Sequence, residues 1–326
     1  MILIFSASWD THAKEVYKAI KNKNIDCEIF LTDEYSNSSY ISYKDNKTGI
    51  VTNNKFINIS EISSLLARNP FDWILNSDQT KTDRAFLENE LRRCEVNDIT
   101  KAFINECRRL GIFVINNFDN PIEFKLSNFL RAHELGFMLP KTVIANGKKD
   151  YEFLKNNTTE FVIKPFVSRT WYKNKTISKR LKLISGVDLY KKLSNVNVTY
   201  PLQIQERIDK QLDLRITVVG KKIYTCAIYS QENPLTTLDS GGTMFENVRH
   251  KKYKLPKKIE DLCFELCKRN NLNHGAIDMA LDKKGNYIFF EINPYGEYLW
   301  IEEKTGLKIT DGMAELLIDP EKNKLV

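Results

Sequence analysis

Residues 274–294 constrain this chain more than any other stretch. His274-Gly275-Ala276-Ile277-Asp278-Met279-Ala280-Leu281 is followed, after a polar turn, by Tyr287-Ile288-Phe289-Phe290-Glu291-Ile292-Asn293-Pro294. The alternation predicts a β-hairpin with Ile277, Met279, Leu281, Ile288, Phe290 and Ile292 on one apolar face. Asp278, Glu291 and Asn293 then share the opposite face. A turn over 283–286, of even length, sets Asp278 directly across from Glu291, where like charges repel unless a cation lies between them. Two carboxylates and an amide oxygen on one pleated surface are the hard-oxygen set that Mg²⁺ uses when it also holds substrate phosphates. The same pattern also describes a half-exposed hairpin whose polar face meets water. Asp is a poor strand former, however, and Glu-x-Asn-Pro is an unusual end for a solvent face. The choice depends on what the rest of the chain supplies.

With 326 residues the chain has room for two or three packing units, and its 42% hydrophobic and 28% charged content is that of a globular enzyme rather than a disordered one. No run is long enough to span a membrane, and the apolar opening 2–5 lacks the basic start of a signal peptide, so a cytoplasmic protein is expected, with no membrane partner. Six cysteines are scattered without a CxxC pair. Cys263 and Cys267 fall on one helical stripe with Ile259, Leu262 and Leu266, which predicts small core residues rather than ligands. The net charge of +7 is spread among acids, with Arg249-His250-Lys251-Lys252 its tightest cluster. Nucleic acid is therefore not the expected partner, and an anionic ligand or an acidic peptide is.

The order of elements predicts an α/β class. Strand 2–5, helix 12–21 and strand 26–31 open a parallel sheet, and no Gly-x-Gly-x-x-Gly turn follows the first strand. A hairpin over 39–59 turning at 46–49, a strand at 71–75, a long helix over 83–110 and a buried strand at 112–116 complete an N-terminal unit, 1–118. The polar break at 117–121 introduces a central unit, 119–200, with a helix over 123–135 stopped by Gly136. A C-terminal unit, 201–326, carries the 274–294 hairpin.

Several polar residues stand where an apolar pattern leads into an exit. Lys164 ends the apolar strand 160–164 just before a proline; this is either an exposed edge strand or a lysine held rigidly at a cleft to grip a phosphate. Lys125 lies near the start of the 123–135 helix, where a solvated lysine is the plainer reading. The strand 202–208 has a polar exit, Gln205-Glu206-Arg207-Ile208, at which backbone groups can bond a purine edge. In Asp213-Leu214-Arg215-Ile216-Thr217-Val218, alternation sends Leu214, Ile216 and Val218 inward and leaves Asp213 and Arg215 as polar-face neighbours. Asp213 then orients Arg215 toward phosphate or carboxylate, or the two form a surface ion pair worth little.

Taken in order, Lys125, Lys164, Gln205-Glu206, Asp213-x-Arg215, Asp278, Glu291 and Asn293 resemble the ATP-grasp superfamily. The likeness narrows to the microviridin-type peptide ligases in residues 125–146 and in 273–317, with Gly296-Glu297-Tyr298-Leu299-Trp300-Ile301-Glu302 and Thr305-Gly306-Leu307, and extends to the N-terminal hairpin and the segment 65–70. The resemblance implies an ATP-grasp fold with a pre-ATP-grasp α/β domain, a central subdomain and a C-terminal subdomain, α+β in its last part. ATP would lie between the last two, with Lys125 and Lys164 on its phosphates, residues 205–208 as the adenine hinge, and Asp278, Glu291 and Asn293 on Mg²⁺. Arg215, and as a second candidate Arg249, would face phosphate or the substrate carboxylate. The segment 166–172 lacks the glycines with which many relatives cover the phosphates, so side chains such as Ser168 or Arg169 would substitute.

The implied reaction is ATP-dependent macrocyclisation of a ribosomally made precursor, leader plus acidic core. A Glu or Asp side chain is activated as an acyl phosphate and captured by a Thr or Ser hydroxyl or a Lys amine, with no enzyme nucleophile. Water has to be excluded meanwhile, and Gly241-Gly242 in the segment 230–245 offers a mobile cover. A homodimer is among the assemblies such a chain is expected to form. The rival readings are an amino-acid ligase, which adds a free residue, and a non-catalytic ATP- or peptide-binding module.

Overall fold

The computed structural model describes residues 1–36, 38–52, 54–68, 83–115, 125–146, 148–164, 169–172, 175–178, 182–195, 201–234, 236–237 and 248–326. The expected strand at 71–75, Ser168 and Gly241-Gly242 lie outside them. Among the described residues no helix is long and apolar enough to cross a membrane.

Strand β1 (Ile2–Ser6) leads through helix α1 (Thr11–Lys21) to β2 (Cys27–Leu31), which pairs parallel to it. Asp10 starts α1 by accepting from the amides of His12 and Ala13, and Ala13, Val16 and Ile20 turn its apolar stripe onto the sheet. The expected hairpin at 39–59 has three antiparallel strands, β3 (Tyr40–Lys44), β4 (Lys47–Thr52) and β5 (Lys55–Asn58). Its first turn falls at Asp45 and Asn46, both at positive φ (52° and 59°), one residue before the predicted site. Asn and Asp tolerate the left-handed conformation that a tight hairpin turn needs.

Strand β6 (Ser64–Ala67), helix α2 (Asp83–Arg109) and β7 (Phe113–Ile115) follow, and the parallel sheet is ordered β2-β1-β6-β7. The sequence pattern gave no alternation at β6 because all four of its residues are buried, as in an internal parallel strand. One face of this sheet packs on α2 and the β3–β5 sheet through Phe5, Phe30, Phe103 and Ile104.

Helix α3 (Lys125–Glu134) ends at Gly136, whose φ of +86° closes it. Beyond it come β8 (Thr142–Ala145), β9 (Glu160–Lys164), the small hairpin of β10 (Arg169–Tyr172) and β11 (Lys175–Ser178), β12 (Lys182–Ser185), helix α4 (Gly186–Ser194) and β13 (Leu202–Glu206). The central sheet is ordered β12-β9-β13-β8 and is antiparallel throughout. Because β13 pairs with β8 and β9, this sheet runs to Glu206, past Pro201 where the sequence begins the C-terminal unit.

The largest sheet is ordered β16-β15-β14-β17-β18, from β14 (Lys210–Val219), β15 (Lys222–Ile228), β16 (His250–Lys252), β17 (His274–Asp282) and β18 (Tyr287–Asn293), with helix α5 (Lys257–Arg269) between β16 and β17. Leu214, Ile216, Val218, Ile277, Met279, Phe289 and Ile292 of its inner face meet Cys263, Leu266 and Cys267 of α5 and Phe137 after α3. Helices α6 (Leu299–Thr305), α7 (Ile309–Ile318) and α8 (Pro320–Asn323) end the chain. Met313, Leu316 and Leu317 of α7 share a core with Ile2, Ile4 and Val16, and Ser64 Oγ donates to the Leu317 carbonyl at 2.6 Å. The first and last parts of the chain are thereby one packed body.

Within the β17–β18 hairpin the inward set differs from the expectation. The loop is odd, Lys283-Lys284-Gly285, with Gly285 at φ +84° and the Asp282 carboxylate accepting from the amides of Lys284 and Asn286 at 2.8 Å each. It sets Leu281 opposite Tyr287 and Met279 opposite Phe289, so Phe289 takes the place predicted for Phe290 in the core beneath α5, while Ile288 is buried on the other face.

Candidate functional site

The loop offset alone would turn Glu291 into the core. A bulge at Phe290 prevents this: pairing passes from Met279–Phe289 to Asp278–Glu291, and the extra residue returns Glu291 to the polar face. On the other side of Asp278 the register partner is Arg215, so Arg215, Asp278 and Glu291 form one row across β14, β17 and β18. The next row on the same face is Thr217, Ala276 and Asn293.

Arg215 Nη1 donates to both Asp278 oxygens at 2.9 Å, and Nη2 donates to the Glu297 carbonyl at 3.3 Å. Burial pushes the Asp278 carboxyl above its usual range and the nearby Glu291 pushes it the same way, while Arg215 and Lys164 pull it down. Two carboxylates are thus pressed together with cations on either side. Asn293 is exposed, and its Oδ1 accepts from the Tyr295 amide at 2.8 Å, closing a turn that brings Gly296 over Ala276. A Cβ at Gly296 would stand 2.1 Å from Ala276 Cβ and 2.7 Å from Arg215 Nη2, which is why a glycine is needed there.

The central sheet supplies the facing side. Lys164, at the end of β9 beside Gln203 of β13, places its ammonium 5.0 Å from the centre of the Phe290 ring, and so over the bulge next to Glu291. The Phe289 amide donates to the carbonyl of Met138, in the segment between α3 and β8, at 2.9 Å and ties that segment to β18.

The fold that carries this site is shared with solved structures. A RiPP-associated ATP-grasp ligase of Chryseobacterium gregarium, in complex with ADP and a leader and core peptide, superposes with a TM-score of 0.84 at 23% identity, covering 100% of this chain and 99% of that one. The macrocyclase MdnC of Microcystis aeruginosa MRC, bound with precursor peptide MdnA, gives 0.79 at 26% identity, covering 98% and 99%. The chain has the fold of the ATP-grasp ligases. The ligase PsnB, complexed with a minimal precursor, Mg and ADP, gives 0.76 at 16% identity over 99% and 98%. No family model matches this ATP-grasp chain, and no curated protein matches it by sequence.

In the ATP-grasp frame the sequence-derived residues fall into distinct groups. Arg215, Asp278, Glu291 and Asn293 share one face of the large sheet, and Lys164 of the central sheet stands beside it. Gln205 to Ile208 leave β13 at its edge, but two amides there are engaged within the protein: Glu206 donates to the Lys141 carbonyl at 2.9 Å and Arg207 to that of Glu160 at 3.0 Å. Gln205 is buried and donates through Nε2 to Thr142 Oγ1, and the Arg207 guanidinium pairs with Glu160. Lys125 opens α3, with its side chain outside the described residues.

Two expectations are redirected. Asp213 does not orient Arg215: its buried carboxylate accepts from Lys210 Nζ at 2.9 Å on both oxygens and from Ser230 Oγ at 2.5 Å. Asp213 therefore anchors the turn Ser230–Glu232 through Ser230, and the cross-strand Asp278 takes the guanidinium. Arg249 lies beside β16, two strands from β14, stacked on Tyr229 at 3.6 Å and paired with Glu232. The sequence assigned no role to Lys210, Glu297 or Gly296, nor to Asp10, His12, Arg68 and His274 around the 294–299 turn. A buried lysine three residues before an aspartate and a charged residue ending an apolar strand were the available signals.

Proposed function

We propose that this ATP-grasp ligase closes side-chain rings in a ribosomally made precursor peptide, joining Glu or Asp carboxylates to Thr or Ser hydroxyls or Lys amines. The observation that carries the reading is the Arg215–Asp278–Glu291 row with Lys164 facing it. Among the described residues no group of three or more His, Cys, Asp or Glu side chains is placed to hold a metal by itself. Asp278, Glu291 and the Asn293 amide make an incomplete oxygen set, which fits Mg²⁺, an ion that keeps room for phosphate oxygens and water. The ADP, AMPPNP and Mg in complexes of similar ligases agree with that choice.

Bound MgATP would supply the phosphoryl group that turns a peptide carboxylate into an acyl donor. The protein's part is placement and charge. Asp278, Glu291 and Asn293 would hold Mg²⁺; Lys164, and Lys125 from α3, would balance phosphate charge; Arg215, fixed by Asp278 and Glu297, would present its guanidinium to phosphate or the incoming carboxylate. The exit 205–208 is the proposed adenine hinge through backbone groups not engaged with residues 141 and 160, and Ser168 a further phosphate contact. No side chain is required as a nucleophile, because the peptide supplies both reacting groups. The charge of +7 suits an acidic core peptide, and a precursor or core peptide is bound in the complexes of similar ligases.

The test is mass spectrometry of a short acidic peptide, encoded beside the gene, after incubation with the protein, ATP and Mg²⁺. One water lost per bond is expected, and Glu291→Gln is expected to stop the loss with thermal stability retained. A product heavier by one amino-acid residue would replace the reading with an amino-acid ligase, and unaltered peptide with unspent ATP would leave a binding module.

A further inference from the structure

In an open parallel sheet the crevice for a ligand lies beyond the carboxyl ends of the strands where the strand order reverses. Here that point lies between β1 and β6, since β1 leads to β2 on one side and β6 lies on the other. No outside ligand is needed to fill it: the turn between β18 and α6, residues 294–298, sits there. Arg68 follows β6, donates its amide to the Phe5 carbonyl at 2.9 Å, and forms an ion pair with Asp10 at 3.1 Å in which the side chains are 3% and 2% exposed. Its Nη1 donates to the Tyr295 carbonyl at 3.3 Å.

His12 completes the grip. Its Nε2 accepts from the amides of Tyr298 at 2.9 Å and Leu299 at 3.2 Å, which leaves Nδ1 as the ring donor, 3.6 Å from Asp10 Oδ1. Those amides open α6, and Tyr298 at its N-cap makes no side-chain cap bond, so His12 caps the helix from another part of the chain. From below, His274 Nδ1 bonds the Pro294 carbonyl at 2.9 Å.

We propose that His12, Asp10 and Arg68 are positioning residues for the candidate metal and phosphate site, because they hold the turn whose Tyr295 amide orients the Asn293 side chain and whose Glu297 carbonyl fixes Arg215. This inference rests on the Mg²⁺–nucleotide reading above. The turn has no ladder or helix of its own between β18 and α6, so its place is set by these outside partners. A shift of about 1 Å at such a site is enough to cost two orders of magnitude in rate.

The experiment compares wild type with His12→Phe and His12→Gln in two measurements: amide hydrogen exchange of the peptide spanning 295–301 without ligand, and calorimetric titration with MgADP. His12→Phe leaves the Tyr298 and Leu299 amides without an acceptor, and is expected to speed their exchange and weaken MgADP binding about tenfold or more, the usual effect of losing an outer-shell support. His12→Gln, which restores an acceptor oxygen, is expected to recover most of both. His12→Phe combined with Asn293→Ala is expected to cost less than the product of the two single effects, because both act on one turn. If His12→Phe does not fold, Arg68→Lys takes its place, keeping a cation beside Asp10 without the reach to Tyr295.

Unchanged exchange, faster exchange with unchanged MgADP affinity, or fully multiplicative effects would each overturn the proposal. Wild-type protein that binds no MgADP would instead remove the nucleotide reading, and the positioning role with it, while the exchange data still report whether His12 holds the turn.

Discussion

Asp278 and Glu291 face each other across β17 and β18 because two departures from a regular hairpin cancel. The odd loop shifts every pair by one, and the bulge at Phe290 shifts the pairs beyond it back. A carboxylate pair of this kind costs energy to hold together unless cations are provided, and Arg215 and Lys164 provide them. The loop that sets the first shift depends on Gly285 at φ +84°.

Gly285→Ala should therefore destabilise the protein by about 1–2 kcal/mol, since a Cβ there meets no atom within 4 Å and only the left-handed backbone is penalised. Gly285→Asn should recover part of the loss. Urea unfolding of the three proteins measures it, and equal midpoints would remove the loop from the account of register.

Gly296→Ala should lower both stability and ATP consumption, because the added methyl meets Ala276 Cβ at 2.1 Å and Arg215 Nη2 at 2.7 Å. Adding Ala276→Gly relieves the first clash and not the second. The double variant should regain much of its melting temperature but keep a catalytic defect of about tenfold or more. Recovery of both together would show that Gly296 serves packing alone.

Of the six cysteines, Cys94 alone should react with a thiol reagent in the folded protein within minutes at pH 8. It is exposed, whereas burial pushes the thiols of Cys27, Cys107, Cys226 and Cys267 up to about 12 and raises that of Cys263 well above 9.0. Cys94→Ser should abolish the fast phase, and a second fast equivalent in that variant would contradict the assignment.

His274 should make stability fall with acid. Burial, with Arg68 adding to it, lowers its pKa from 6.5 to about 3, so the folded ring stays neutral while the unfolded one takes a proton. The unfolded state binds more protons between those values, so the loss begins as pH drops through 6.5 and is complete near 3. At about 1.4 kcal/mol per unit, wild type should lose roughly 2–3 kcal/mol more than His274→Gln between pH 7.5 and 4.5. Parallel pH profiles from urea titrations would rule this out.

The residues themselves determined much of the arrangement. Local alternation placed Leu214, Ile216 and Val218 inward and Arg215 outward, Gly136 ended α3, and the spacing of Cys263 and Cys267 put both in the core, because each outcome depends only on neighbours a few residues away. The carboxylate pair was legible too, although through a loop of the wrong parity. Tertiary structure alone decided which partner each charge takes. Asp213 went to Lys210 and Ser230, Arg215 to Asp278, and Arg249 to Glu232. Those choices follow from strand order and a single bulge, which bring together residues far apart in sequence. The grip of Asp10, His12 and Arg68 on the 294–299 turn arises in the same way: the crevice that holds it exists only once the first and last parts of the chain have packed.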